Sequence, residues 1–182
     1  KLDDYGSSLI LLSRNDDKGE KICNQIRKKN KNAEVKFYRL DISSMNEIRR
    51  VLEKVKIDFN HIDVLINNAG IAINSPITKD DTSWLMDFHQ TLQVNLTAAA
   101  FLCKLAIGRF VRNGGGRIIN IASRAAFRGD TTEYWAYAAS KGGMVSLTRS
   151  IARAFGKDGI VAFNIAPGFV KTDMADSFIK QY

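Results

Sequence analysis

Short apolar runs alternate along this chain with longer segments whose apolar positions recur every third or fourth residue. Runs of the first kind, bounded by polar or turn residues, are the pattern of buried strands, and the second spacing is that of helices with one apolar stripe. Residues 8–13 (Ser-Leu-Ile-Leu-Leu-Ser) therefore predict a first strand, and a helix follows to about Lys29, with Asp17 and Glu20 at capping-box spacing. The unit repeats. Residues 34–40 predict a second strand, and Ser44 with Glu47 opens a helix whose Ile48, Val51, Leu52 and Val55 share one face. Residues 61–66 predict a third strand. A loop containing Pro76 leads into a helical segment over residues 81–112, interrupted near Gln90 and ended by Asn113-Gly114-Gly115-Gly116. Residues 117–121 predict a fourth strand, residues 134–155 a helix closed by Gly156, and residues 160–165 a fifth strand ending at Pro167-Gly168. A last helix is expected to begin near Thr172.

Alternation of apolar strands with amphipathic helices predicts an α/β fold, a three-layer, doubly wound, Rossmann-like parallel sheet with helices on both faces. Such sheets bind ligands beyond the carboxyl ends of their strands. Arg14 follows the first strand, Asp41 and Ile42 the second, Asn67-Asn68-Ala69-Gly70 the third, Ser123 the fourth and Pro167-Gly168 the fifth. The five strand ends are expected to converge on one crevice.

Composition narrows the picture. A chain of 182 residues, 45% hydrophobic, is long enough for one sizeable core and predicts a single domain over residues 1–182. Cys23 and Cys103 lie far apart without Cys-x-x-Cys or Cys/His spacing, and His61 and His89 are the only histidines, so no disulfide framework or metal site is expected. No uninterrupted apolar run of membrane-spanning length is read, and Lys1-Leu2-Asp3-Asp4 does not open a signal peptide. A cytoplasmic, membrane-free protein is expected. The net charge of +8 has its densest cluster at Arg27-Lys28-Lys29-Asn30-Lys31, at the end of a predicted helix, where cations complement the helix dipole. Without an aromatic-studded basic groove, no nucleic-acid partner is expected.

The candidate chemistry centres on Tyr137-Ala138-Ala139-Ser140-Lys141. Four residues apart on a helix, the phenol and the ammonium share a face. A neighbouring cation stabilises a phenolate and makes a tyrosine usable as a general acid/base near neutral pH. The same spacing also occurs on solvated helix faces, so the pair alone leaves both readings open. Tyr134, seven residues before Lys141, is read as packing or substrate lining.

In company with Asn67-Asn68-Ala69-Gly70, Val94-Asn95-Leu96, Ile121-Ala122-Ser123 and Pro167-Gly168 with Thr172, this pair resembles the short-chain dehydrogenase/reductase family over essentially the whole chain. The resemblance implies an oxidoreductase that interconverts a carbonyl and a secondary alcohol with a nicotinamide dinucleotide. Tyr137 is then the general acid/base, and Lys141 both its activating cation and a ligand of the nicotinamide ribose. Ser123 holds the reacting oxygen, and Asn95 anchors a water leading from Lys141 to solvent. Cofactor contacts fall to Arg14, Asp41, Ile42, Asn68, Ala69, Gly70, Tyr137, Lys141, Pro167, Gly168, Val170 and Thr172. Plainer roles stand beside these: Ser123 as a turn or cap, Asn68 and Gly70 as a turn, Asp41 as a cap. Arg14, standing where an acidic residue would repel a 2′-phosphate, favours NADP(H) over NAD(H).

The run from Asn164 to Met174 is similar to the 3-oxoacyl-carrier-protein reductases, so the substrate is expected to be a small-molecule or acyl-thioester carbonyl. Arg124 and Arg128 are read either as room for an acidic group or as solvent-facing charges. Small residues on the two long helices, among them Ala98, Ala99, Ala100, Ala138, Ala139, Gly142 and Gly143, allow close helix contact, and the resemblance implies a homodimer or homotetramer. No glycine-rich turn of the family's kind precedes Ser8, and the family's last strand is not found. A fragment of a longer polypeptide is therefore expected, with a catalytically silent dinucleotide-fold fragment or binding module as the alternative.

Overall fold

The computed structural model describes residues 7–168 and 170, and the chain divides into two compact units, Lys1–Phe59 and Asn60–Tyr182. In the first unit strand β1 (Leu9–Ser13) leads to helix α1 (Asp16–Lys29), strand β2 (Val35–Arg39) and helix α2 (Met45–Asp58). β1 and β2 pair in parallel, with Leu9 opposite Val35 and Ser13 opposite Arg39. The helix α1 cap differs from the expected Asp17–Glu20 box. Asn15, still extended as the chain leaves β1, caps instead, its Oδ1 accepting from Lys18 N at 2.8 Å. Asp16 and Asp17 then fill the first turn and Arg27, Lys28 and Lys29 the last, each sign at the dipole end it complements. Helix α2 is capped by Ser44, as the sequence predicts, and buries Ile48, Val51 and Val55. Its Glu47 reaches back to Asp41 N at 2.9 Å rather than to the cap residue.

In the second unit strands β3 (Val64–Asn67), β4 (Gly116–Ile121) and β5 (Ile160–Ile165) form a parallel sheet in that order. The long helical segment comprises α3 (Asp81–Leu92), a π-helical turn (Gln93–Thr97) and α4 (Ala98–Arg112). Helix α5 (Ala125–Arg128) and a 3-10 turn (Thr132–Tyr134) lead into α6 (Trp135–Phe155). Cys103 and Phe110 of α4, Ile118 of β4, Ile151 of α6 and Ile160 of β5 make one core cluster, so α4 and α6 cover one face of the sheet. On its other face Val64, Ile66, Val161, Phe163 and Ile165 are exposed. A second cluster joins Ala99, Ala122, Met144 and Val145. Beside it Gly143 lets α6 lie close to Leu96, whose Cδ2 would stand 2.7 Å from an added Cβ.

Three local expectations shift. The helix break falls at residues 93–97, as a π turn, rather than near Gln90. Gly156 continues the helix with φ −58, and a 3-10 turn carries the chain to Gly159, whose φ of 73 makes the left-handed stop. The continuous helix Asp81–Arg112 also corrects the reading of apolar runs, since its length and a window of mean hydropathy 1.5 would suffice to cross a membrane. Here it is a core helix, turning Thr91, Asn95, Ala98, Leu102, Cys103 and Phe110 inward.

Candidate active site

The carboxyl ends of β3, β4 and β5 adjoin one another. Ala122 N donates to Ile165 O at 2.8 Å and Arg124 N to Pro167 O at 3.2 Å, so the turns after β4 and β5 are laced together. Helix α6 brings Tyr137 and Lys141 to this edge. Lys141 is buried, 3% exposed, and its Nζ donates to Ile121 O, the last carbonyl of β4, at 2.7 Å. The same Nζ lies 5.7 Å from the centroid of the Tyr137 ring, so the pair predicted from a four-residue spacing is formed. Burial pulls the Lys141 ammonium down to about 8, because a charge removed from water loses its solvation.

Asn95 is fully buried in the π turn. Its Oδ1 accepts from Ile71 N at 2.8 Å, and its Nδ2 donates to Ile71 O at 2.8 Å and to Ser140 Oγ at 3.0 Å. The side-chain amide thus pairs with the loop after β3 as a neighbouring strand would. The widened π turn spares this residue for that task while α3 and α4 continue on either side. Gly70 sits where Asn95 and Lys141 meet: an added Cβ would stand 3.4 Å from both Asn95 Oδ1 and Lys141 Nζ. An added Cβ at Gly70 would make ordinary contact with both side chains, so this distance places the loop beside them without itself requiring glycine.

Ser123 is half-buried on the turn after β4, with its Oγ accepting from Ala125 N at 3.2 Å, which is the turn role read beside the chemical one. Asn68, Ala69 and Gly168 are exposed at the strand ends, Pro167 is half-buried and Val170 exposed. Thr172 lies outside the described residues. In the first unit Arg14, exposed, follows β1, and Asp41 and Ile42, half-buried, follow the adjacent β2. Asp41 takes Ser43 N at 2.9 Å and Ser43 Oγ at 2.8 Å, and these bonds hold its carboxylate below the usual range, with Arg14 adding a smaller pull. Tyr134 is 7% exposed, with its hydroxyl 3.5 Å from Asn74 Nδ2.

Sequence reasoning passed over a polar ladder beneath these groups. Asn67, Asn120 and Asn164 stand side by side in register across β3, β4 and β5. Asn67 Nδ2 donates to Asn120 Oδ1 at 2.8 Å and Asn120 Nδ2 to Thr148 Oγ1 at 2.7 Å. Thr148 Oγ1 also lies 2.9 Å from Asn164 Oδ1. The ladder ties α6, two turns beyond Lys141, to all three strands. An asparagine in each of three otherwise apolar strands was the available signal. Cys103 touches the same network through Asn67 Nδ2 at 3.3 Å, and burial pushes its thiol up to about 11, leaving it a packed rather than a reactive group.

A parallel α/β sheet that gathers polar side chains at the carboxyl ends of its strands has the architecture on which dinucleotides bind. The short chain dehydrogenase family model matches residues 1–182, and the chain belongs to this short-chain dehydrogenase/reductase family of NAD(P)-dependent oxidoreductases acting on CH–OH groups. It is 37% identical over 181 residues to the human 3-hydroxyacyl-CoA dehydrogenase type-2, covering 94% of this chain and 67% of that protein. It is 30% identical to the 3-oxoacyl-[acyl-carrier-protein] reductase FabG of Chlamydia pneumoniae, covering 93% and 66%. Among solved structures it resembles a candidate NAD(P)-dependent gluconate 5-dehydrogenase from Beutenbergia cavernae with NADP bound at low occupancy, with TM-score 0.87, 29% identity, and 97% and 68% covered. The chain spans about two thirds of the length of these relatives.

Proposed function

We propose that this chain forms a single dinucleotide-binding and catalytic domain of an NADP(H)-dependent oxidoreductase that interconverts a carbonyl and a secondary alcohol. The observation that carries the reading is the buried Lys141 ammonium held beside the Tyr137 ring at the end of a parallel sheet. Each unit, taken by itself, offers donors of the kind a dinucleotide uses: in the second, one of the three Lys141 N–H donors goes to Ile121 O, leaving this cation equipped for ribose hydroxyls, and in the first Arg14 carries an exposed guanidinium suited to a phosphate. When bound, the nicotinamide supplies or accepts the hydride.

The protein's residues manage the proton. Tyr137 gives its hydroxyl proton to the carbonyl oxygen as that oxygen gains charge, and takes one from the alcohol in the reverse direction. Lys141, buried and cationic, stabilises the phenolate so formed. Ser123 holds the reacting oxygen by a hydrogen bond. Asn95 keeps the Gly70–Ile71 backbone in place and anchors the water through which Lys141 reaches solvent. Asn68, Ala69, Gly70, Pro167, Gly168, Val170 and Thr172 bind the nicotinamide half, and Arg14, Asp41 and Ile42 the adenosine end.

Likeness to the acyl-carrier-protein and acyl-CoA enzymes favours an acyl-thioester carbonyl as the substrate. The small-residue faces of α4 and α6 favour a homodimer or homotetramer, and the cytoplasm is the proposed compartment. The test is Tyr137→Phe in the natural full-length polypeptide. Turnover should fall by three orders of magnitude or more, roughly the upper range for a general acid/base, with nucleotide affinity within about threefold of wild type. Substantial remaining turnover rejects the mechanism.

A further inference from the structure

Ser140 has no part in the roles above, yet it is fully buried and its hydroxyl joins two residues that do. Its Oγ donates to the Tyr137 carbonyl at 2.7 Å and accepts from Asn95 Nδ2 at 3.0 Å. The other Asn95 Nδ2 hydrogen goes to Ile71 O, while Asn95 Oδ1 accepts from Ile71 N. A carboxamide has two N–H donors, so both are engaged and the group cannot turn over without opposing like to like. Its acceptor oxygen is thereby held on the Gly70 side, where Lys141 Nζ also lies.

We infer that Ser140 is a positioning residue for the acid/base pair. Its hydroxyl locks the Asn95 amide with the acceptor oxygen on the side of the Lys141 ammonium, and it ties that amide to the backbone that carries Tyr137. The inference rests on the acid/base reading of Tyr137 and Lys141. Ile71 alone engages only one Nδ2 hydrogen. Without Ser140 Oγ the other is a buried donor with no acceptor, and the amide relaxes to find one. An acceptor dipole near an ammonium favours its charged form, so loosening it makes Lys141 give up its proton more easily. The alkaline limb of the pH-rate profile then moves to lower pH.

The experiment compares wild type with Ser140→Ala and Ser140→Thr in the natural full-length polypeptide, with Tyr137→Phe alongside. Ser140→Ala should lower kcat roughly tenfold, as expected for a displaced acid/base pair, with the substrate KM within about twofold. It should also move the alkaline limb down by about half a pH unit or more. Ser140→Thr keeps the hydroxyl and restores both. In the nucleotide-free protein the 15N resonance of Lys141 Nζ should titrate at lower pH in Ser140→Ala than in wild type. An unchanged profile and an unchanged lysine titration overturn the inference, including the case where only thermal stability falls. If Ser140→Ala does not fold, Ser140→Cys, with similar volume and a weaker hydrogen-bonding group, takes its place, and a wild-type profile for it overturns the inference as well. An active Tyr137→Phe rejects the acid/base reading itself. An inactive Tyr137→Phe with a wild-type-like Ser140→Ala rejects only the role of Ser140.

Discussion

Replacing Lys141 by methionine should stabilise the folded protein at neutral pH while abolishing its activity. The lysine is 3% exposed, and burial lowers its pKa from 10.5 to about 8. Below about pH 8 both folded and unfolded chains hold this proton, so the folded state bears the full cost of the buried charge. A gap of about two and a half units corresponds to about 3 kcal/mol. Between about 8 and 10.5 the unfolded chain holds the proton and the folded one does not, so this residue's contribution to stability rises with pH. Methionine keeps the length of the side chain and removes the charge, but it leaves Ile121 O without the bond from Nζ, an offset of about 1–2 kcal/mol. The net expectation is a variant more stable than wild type by about 1–2 kcal/mol at pH 7. Urea denaturation of the two proteins from pH 7 to pH 10 measures this, and wild type should gain on the variant as the pH rises. A variant less stable than wild type at pH 7, with the same pH slope, refutes the reasoning.

Two further outcomes test the polar ladder and the cofactor reading. Thr148→Val removes the hydroxyl that pairs with Asn120 Nδ2 and stands beside Asn164 Oδ1, and should cost about 2–3 kcal/mol in urea denaturation because those groups stay buried without a partner. A midpoint equal to wild type would show that the ladder contributes nothing. With NADP and NAD compared under identical conditions, kcat/KM should favour NADP, and Arg14→Asp should reverse the preference. A wild-type preference for NAD sinks the assignment to Arg14.

Much of the architecture could be read directly from the chain. Among the described residues the apolar runs placed the five strands to within a few residues, because a strand end in a parallel sheet is marked by the change from apolar to polar or turn residues. Ser44 announced its own helix cap, and Gly114 and Gly115 their positive φ. Where expectations moved, a neighbour had decided. Asn15 rather than Asp17 caps α1 because it is the first residue after β1 with a side chain that can reach an unpaired helix amide. The helix break waits until residues 93–97, where Asn95 can turn from the helix to the loop at Ile71.

The sequence by itself determined the alternation of strand and helix, the pairing of Tyr137 with Lys141 on one helical face, and the family to which those motifs belong. These depend on spacing along the chain and on local backbone preference, which a linear pattern records in full. Only the tertiary structure decided that Lys141 is buried and donates to Ile121 O, that Gly70 lies beside Asn95 and Lys141, and that Asn67, Asn120 and Asn164 meet across three strands. It alone brought Ser140 to Asn95. Desolvation and strand register arise between residues far apart in sequence, so no local pattern carries them.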